Sequence, residues 1–433
     1  MKYPRPGMRL VMGFLAMLLM VPSVGQAKEN TKLQLWHKLT GITLENDMRM
    51  AKKYQDTHPG VEIEYVSVTS DYYNKLSVAI AGGAAPDIAS LIATFSLAEF
   101  AEGGLIQPLD DFVKRADIQQ KDFFPLVWDS WRYDGSVWAM TYDVDANMLY
   151  TNKALLSAAG VTPPRTIEEL DEATKRLTLV DADGSVKRMG FVPWLGDAWS
   201  WLAPWDAQLW DPVNRRVTAD SQNVVSMFAW MASYSERYDY ARINALASQT
   251  SSTYHMGGPL YNDQLAMQLI GPWAIARFAL YAPDFEWEMI PLPYPTLGKS
   301  NATTGNALTL VIPTGAKHPQ EAFEYIRYRT SLEYVLERQQ VDPELRFPAR
   351  IAAARVFVQR YPVYLPVANV LAGPNSRPYL PTMPVSVTYS SELAKARTSV
   401  IQLEQSPKAA LEAVTRVIQA RLDEVLAASR RKH

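Results

Sequence analysis

The sequence predicts an α/β protein of two domains, with the chain crossing between them more than once. Three observations carry that expectation. Residues 32–102 alternate strand and helix patterns, the rhythm of a largely parallel sheet covered by helices. The chain has 433 residues, 48% of them hydrophobic, which is longer than one core usually organises. An extended run over residues 137–150 holds two carboxylates, Asp143 and Asp145, at its middle. An unpaired carboxylate is costly inside a core, whereas a passage across a wet cleft accommodates it, so this run is read as an inter-domain crossover.

The chain opens on a targeting pattern. Lys2, Arg5 and Arg9 precede an apolar stretch over residues 10–21, and Val24-Gly25-Gln26-Ala27 supplies small residues for cleavage. The apolar stretch is too short to span a bilayer, so residues 1–27 are expected to be a signal peptide. Without those cations the formal charge moves from −2 to about −5, which invites neither nucleic acid nor an anionic membrane. The basic tail Arg430-Arg431-Lys432-His433 is read as a solvated helix end. There is no cysteine. A lipid-anchored exported bacterial protein needs one at its cleavage site, so the mature protein is expected to be freely soluble, without disulfides or a thiolate metal site. Twelve Trp and twenty-two Tyr invite an aromatic binding surface as well as a core.

In order, Lys32 to Trp36 alternates as a first strand, and Leu44, Met48, Ala51 and Tyr54 recur at helical spacing until His58-Pro59-Gly60. Val61, Ile63 and Tyr65 alternate as a second strand. Asp71 is placed to cap a helix ending at Gly82-Gly83. Pro86-Asp87-Ile88 opens a short buried strand, and residues 96–102 form a helix before Gly103-Gly104. Asp134-Gly135 marks a tight hairpin turn ahead of the crossover. Residues 152–159 read as a helix ended by Gly160, and Thr166 with Glu169 makes a capping box. Asp181-Ala182-Asp183-Gly184 resembles the start of a calcium loop, but Val192 stands where the bidentate glutamate belongs, so a polar hairpin turn is expected. Residues 220–237 form an amphipathic helix, and residues 265–270 a buried strand before Gly271-Pro272-Trp273. Pro291, Pro293 and Pro295 enforce extended backbone suited to a second crossover, and a third crossing is expected near residues 330–340. Residues 306–313 are a strand, 318–330 a helix, and Ser406-Pro407 opens a long closing helix.

Catalytic signatures are scarce. Leu297-Gly298-Lys299-Ser300 ends like a phosphate loop, but Pro293 stands where that motif requires glycine. His37, His58, His255, His318 and His433 lack ligand spacing, so no metal and no cofactor is expected. Asp143 and Asp145 lie two residues apart on an extended chain, about 6–7 Å. That is compatible with a glycosidase pair, the enzymatic alternative, although nothing nearby is built to raise one pKa.

Several motifs, taken in order and spacing, resemble the family 1 extracellular solute-binding proteins. These are the periplasmic receptors of ABC sugar importers, to which maltose-binding protein belongs. They are Leu33 to His37 with the helix ending in His58-Pro59-Gly60, Ala85-Pro86-Asp87-Ile88, Gly103-Gly104-Leu105, the crossover from Gly135 to Lys153, Ala159-Gly160 with Pro163-Pro164, Gly271-Pro272-Trp273, the strand ending at Pro313, and Ser406-Pro407. The resemblance implies a two-lobed periplasmic-binding-protein fold, each lobe a mainly parallel sheet flanked by helices, with three crossovers. The first lobe would hold residues 28–143 and 293–331, the second 144–292 and 332–433. It further implies a monomer that is not an enzyme, closes by a hinge over its ligand, and then docks on a membrane permease. Matched position by position, the resemblance places Asp145 as a polar ligand contact at the first crossover. Tyr72, Thr94 and Phe95 face the cleft from the first lobe, and Trp199 and Trp273 are walls of the second. Gly305 and Asn306 match a glycine pair whose second member is Asn here, and Arg346, Arg377 and Tyr379 close the site.

Aromatic faces stack on the C–H face of a sugar while Asp, Asn and Arg bond its hydroxyl rim; for each aromatic, core packing is the alternative. One branch of the family takes glycerol phosphates, and Trp36-His37 is reminiscent of it. A phosphate would be repelled by Asp145, where that branch tends to place serine. A di- or oligosaccharide is therefore the expected ligand.

Overall fold

The structure is a computed structural model that describes residues 30–250, 258–341 and 345–429, with backbone alone at residues 93–95, 250, 341 and 429. The expected leader, Asp342-Pro343, His255 and the basic tail lie outside the described residues, as do the side chains of Thr94 and Phe95. The first lobe follows the strand–helix rhythm: β1 (Thr31–His37), α1 (Gly41–Thr57), β2 (Val61–Ser67), α2 (Tyr72–Ala81), β3 (Ile88–Ile92) and α3 (Ala93–Glu102). Parallel β1 lies between β2 and β3, and the strand Leu308–Val311 adds antiparallel to β3. Leu33, Leu35, Ile88 and Leu91 are buried in its core. The expected cap on α2 is different. Asp71 is left-handed at φ 52° and its side chain does not cap the helix; it accepts from Asn74 instead, at 2.7 Å.

The crossover stretch does not form one long strand. Asp134 and Gly135 take the two positive φ values, 46° and 85°, of a tight primed turn between β4 (Arg132–Tyr133) and β5 (Ser136–Val137). Beyond it the ladder is broken into single bridges, Met140 to Leu310 and Asp143 to Pro348, then β6 (Asp145–Ala146) and β7 (Met148–Asn152). The reason is a change of partner. Met140 pairs with the first-lobe sheet, β6 with a small sheet of the crossings, and β7 with the second lobe. That small sheet has the strand Thr304–Asn306 at its centre, antiparallel to β6 and parallel to Arg377–Pro378.

In the second lobe, β7 lies between Met267–Ile270 and Trp287–Ile290 and is antiparallel to both. The expectation of a mainly parallel sheet therefore holds for the first lobe and not for these strands. Met267–Ile270 and Trp287–Ile290 flank β7 on opposite sides, and the helix Ala274–Tyr281 connects them. The Thr166–Glu169 capping box is present, with Glu169 N donating to Thr166 Oγ1 at 3.2 Å. Residues 181–184 make a polar turn in which Asp183 accepts from the backbone and hydroxyl of Ser185. The closing helix Pro407–Ser429 buries Leu411, Val414, Ile418 and Leu422. No described helix is long and apolar enough to cross a membrane.

The helix Leu332–Val341 packs with the first lobe, although residue 332 was expected to open the second-lobe part of the chain. Arg338, on that helix, donates through Nη1 to Asp47 Oδ1 of α1. Arg329 donates through Nη2 to the other oxygen at 2.7 Å. Asp47 is fully buried, and both arginines are nearly so. Tyr142 from the crossover lies under both guanidiniums, 5.0 and 4.6 Å from its ring. Burial opposes charge on Asp47, but the two guanidiniums outweigh it and hold its pKa below 3.8.

Replacing Asp47 with Asn should lower unfolding stability by about 3–5 kcal/mol, because it leaves buried guanidiniums uncompensated. A urea transition unchanged within about 1 kcal/mol would count against the network as a stabilising element. An acid with a lowered native pKa stabilises above its ordinary range and loses that contribution as pH falls through the native value. The gap between wild type and Asp47→Asn should thus be full at neutral pH and shrink below about pH 3.8. A gap constant down to pH 2 would contradict this assignment.

Candidate functional site

Three short strands brought side by side define the candidate site. Asn306 pairs with Asp145, Gly305 with Ala146, and Gly305 again with Pro378, next to Tyr379. The close approach depends on glycine. A Cβ on Gly305 would lie 2.6 Å from the Asp145 carbonyl and 2.8 Å from a methyl of Leu126. The resemblance assigned Gly305 to ligand contact, and its packing explains it without one.

Asp143 and Asp145 point to one side, as their spacing requires, and Arg346 Nη1 lies 3.5 and 3.7 Å from an oxygen of each. Their environments differ. The Asp143 side chain is 7% exposed, and that of Asp145 is 34%. Burial pushes the Asp143 carboxyl above its ordinary range, while Arg346, Arg338 and a hydrogen bond from Thr141, at 3.1 Å, pull it back. One carboxylate thus reaches solvent and the other positions the arginine. A retaining or inverting glycosidase would need two carboxyls that both reach the scissile bond.

On the second-lobe side, Trp199 is 8% exposed, lies in a short 3-10 helix (Ala198–Leu202), and has the Arg397 guanidinium 5.1 Å from its ring. Its carbonyl accepts from Thr304 at 3.2 Å, which ties this helix to the crossing strands. Tyr379 accepts from Asn147 Nδ2 at 2.6 Å and is hydrogen-bonded to Asp197. Asn147 also donates to Ser200 at 2.9 Å. Burial raises the Asp197 carboxyl and lowers the Arg397 guanidinium, each partly offset by the other's charge. Asn147, Asp197, Ser200 and Arg397 escaped the sequence reading. Asn147 could have been found, since it stands two residues after Asp145 on an extended chain. Arg397, inside the helix Ser386–Ile401, carries no such signal.

The remaining expected residues fall elsewhere. Tyr72 is a correction. It is 2% exposed, and its hydroxyl donates to the Trp36 carbonyl at 2.9 Å and accepts from Ser90 N at 3.1 Å, so it joins β1 to β3 inside the core. Arg377 is also structural. Its Nη2 donates to the Leu202 and Ala207 carbonyls at 2.6 and 2.8 Å, and burial brings its pKa down to about 10. Trp273 is half-buried at the start of the helix Ala274–Tyr281, with Arg277 4.6 Å from its ring centre. A cavity of about 820 Å³ lies away from all of these, where the second crossing meets Pro164, Arg165, Glu288 and Tyr294.

The sequence profile of the bacterial extracellular solute-binding proteins matches residues 43–335. The chain belongs to that family. Among curated relatives of this solute-binding protein, a maltotriose-binding protein of Pyrococcus abyssi is 30% identical over 34% of this chain and 30% of its own. The sn-glycerol-3-phosphate-binding periplasmic protein UgpB of Agrobacterium fabrum is 28% identical over 34% of this chain and 36% of its own. The matched stretch thus spans about a third of each of these relatives. A solved structure described as CpMnBP1 with mannotriose bound is 25% identical, covers 89% of this chain and 99% of its own, and superposes with a TM-score of 0.75. The two-lobed α/β architecture of the family is that of this solute-binding protein.

Gly305→Ala tests whether the crossing strands set the site. The substitution should destabilise by about 1–3 kcal/mol through overpacking, measured as a lowered urea midpoint. A midpoint equal to wild type would show that β6 and its neighbour can part without cost.

Proposed function

We propose that this solute-binding protein captures a neutral di- or oligosaccharide between its lobes and delivers it to the membrane permease of an ABC importer. The observation that carries the reading is Asp145: a partly exposed carboxylate, oriented by Arg346 and set beside Asn306 where three crossing chains meet. Such a carboxylate accepts hydrogen bonds from sugar hydroxyls with charge-assisted strength, and the indoles of Trp199 and Trp273 offer faces for C–H surfaces. Relatives whose names specify maltotriose and mannotriose support a sugar ligand. The glycerol-phosphate-binding relative motivates a second reading. Against it stands the like charge of Asp145 and Asp143, with Arg346 already engaged by both.

In this reading the signal peptide sends the protein to the periplasm, where a chain with no cysteine diffuses freely as a monomer. It is a receptor and not an enzyme, takes no cofactor or metal, and closes by a hinge at the three crossings. Residues 28–143 with 293–331 move against 144–292 and the C-terminal portion, with the helix Leu332–Val341 riding on the first lobe through Arg338 and Asp47.

Thermal unfolding of the mature protein against sugars, oligosaccharides and glycerol phosphates tests the ligand class. A ligand at a hundredfold excess over its dissociation constant adds about 2.7 kcal/mol, a clear shift in midpoint. A shift with a sugar recovered intact supports the proposal. A shift with glycerol phosphates alone overturns the ligand, and a cleaved sugar overturns the receptor reading. For the leading sugar, Trp273→Ala should weaken binding by about 2 kcal/mol, roughly thirtyfold, by calorimetry. Unchanged affinity in the folded variant removes Trp273 from the site.

A further inference from the structure

His37 ends β1 and is 1% exposed, and the candidate site makes no use of it. Its ring is held by a hydrogen bond in which Leu39 N donates to Nδ1 at 2.9 Å. Nδ1 is therefore the unprotonated nitrogen, and the neutral ring carries its hydrogen on Nε2. Nε2 is buried and has no hydrogen-bond partner among the described residues. Three elements act on the ring. Tyr65 of β2 stands edge-on with ring centres 5.3 Å apart. Asp47 of α1 favours positive charge on it, and Arg329 of the helix Pro319–Arg329 opposes that charge. Asp47 already has a guanidinium on each oxygen. Burial outweighs its pull and holds the imidazole below its ordinary pKa of 6.5. A second proton would have to sit on Nδ1, where it would meet the Leu39 N–H, donor against donor. The bond to Leu39 thus exists only while the ring is neutral.

That bond closes the corner of residues 38–40, between the end of β1 and the start of α1. Ser67 Oγ donates to the Leu39 carbonyl at 3.1 Å, and Lys38 lies 5.5 Å from the Tyr73 ring centre. The corner stands at the sheet edge that borders the crossings. Leu35 pairs with Ile88 and Trp36 with Ala89, and continuing that register sets residues 38–40 level with the end of β3. There Ile92 pairs with Leu308, two residues after Asn306. Across β3 the separation is two strand spacings, about 10 Å. We infer that His37 is a proton-operated catch, which holds the corner of residues 38–40 while neutral and releases it when Nδ1 takes a proton. The catch goes beyond sugar capture and does not depend on it, since it is built within the first lobe.

The test uses the mature protein without sugar, followed by long-range 15N–1H spectra from about pH 8 to about pH 4. At the upper end His37 should carry its hydrogen on Nε2. It should protonate below pH 6.5, and the Leu39 amide should shift along the same curve. His37→Asn places an amide oxygen where Nδ1 stood, so it keeps an acceptor for Leu39 N and removes the titration. A base kept neutral by the fold binds its proton more readily when unfolded. Its contribution is therefore full above pH 6.5 and lost as pH falls below that value. Relative to His37→Asn, the wild-type unfolding constant in urea should rise below pH 6.5, by up to about tenfold per pH unit, until the native ring titrates. A hydrogen on Nδ1 at the upper end, a Leu39 amide indifferent to the titration, or a constant ratio of the two unfolding constants would each overturn the proposal. If His37→Asn fails to fold, the wild-type spectra decide.

Discussion

Asp47 lies fully buried with a guanidinium on each carboxylate oxygen, and α1 and the helices Pro319–Arg329 and Leu332–Val341 are joined through that compensation. Two arginines cannot be desolvated without a partner, because the unpaired ion loses far more hydration than packing returns. Arg329 ends the helix Pro319–Arg329, and Arg338 sits in the helix that follows. Both are drawn back onto α1, which keeps the helix Leu332–Val341 packed with the first lobe. Tyr142 completes the arrangement from the first crossing, its ring lying within reach of both guanidiniums. The same pattern recurs on a smaller scale where Arg346 meets Asp143 and Asp145. Around these crossings the named carboxylates and guanidiniums are three and three, so the region carries charge without carrying net charge.

Local rules made much of the fold legible in the sequence. The Asp134-Gly135 turn, the Thr166–Glu169 box and the alternation of β1 and β2 each depend on neighbouring residues alone, and each is where pattern placed it. What was lost depends on distant partners. The run over residues 137–150 has uniform β-forming chemistry, yet its ladder breaks because three different sheets claim successive parts of it. The strands around β7 are antiparallel although the surrounding rhythm suggested otherwise, since strand direction is set by connections and not by composition.

The site was legible in part for the same reason. Asp143, Asp145 and Arg346 do converge, and the two-residue spacing of the acids was the readable clue. Tyr72 looked identical to a cleft tyrosine in sequence, and only the positions of Trp36 O and Ser90 N show that its hydroxyl is a joint between strands. Arg377 shows the complementary difficulty. An arginine near a site invites a ligand role, but two backbone carbonyls, one at the end of a short helix and one just beyond it, claim its donors first. Those carbonyls belong to residues some 170 positions away, beyond any pattern-based reading.

The division of labour between Asp143 and Asp145 follows from their unequal burial. Asp143, held under Thr141 and Arg346, fixes where the guanidinium can stand. Asp145 has a third of its side chain in solvent, where donors of a solute can reach it. A ligand that brings hydroxyls can add to this arrangement, because each hydroxyl both donates to the carboxylate and accepts from the arginine. A ligand that brings a second anion must compete for Arg346 against two carboxylates already in place. The electrostatics of the crossings therefore favour neutral, hydroxyl-rich solutes over anionic ones.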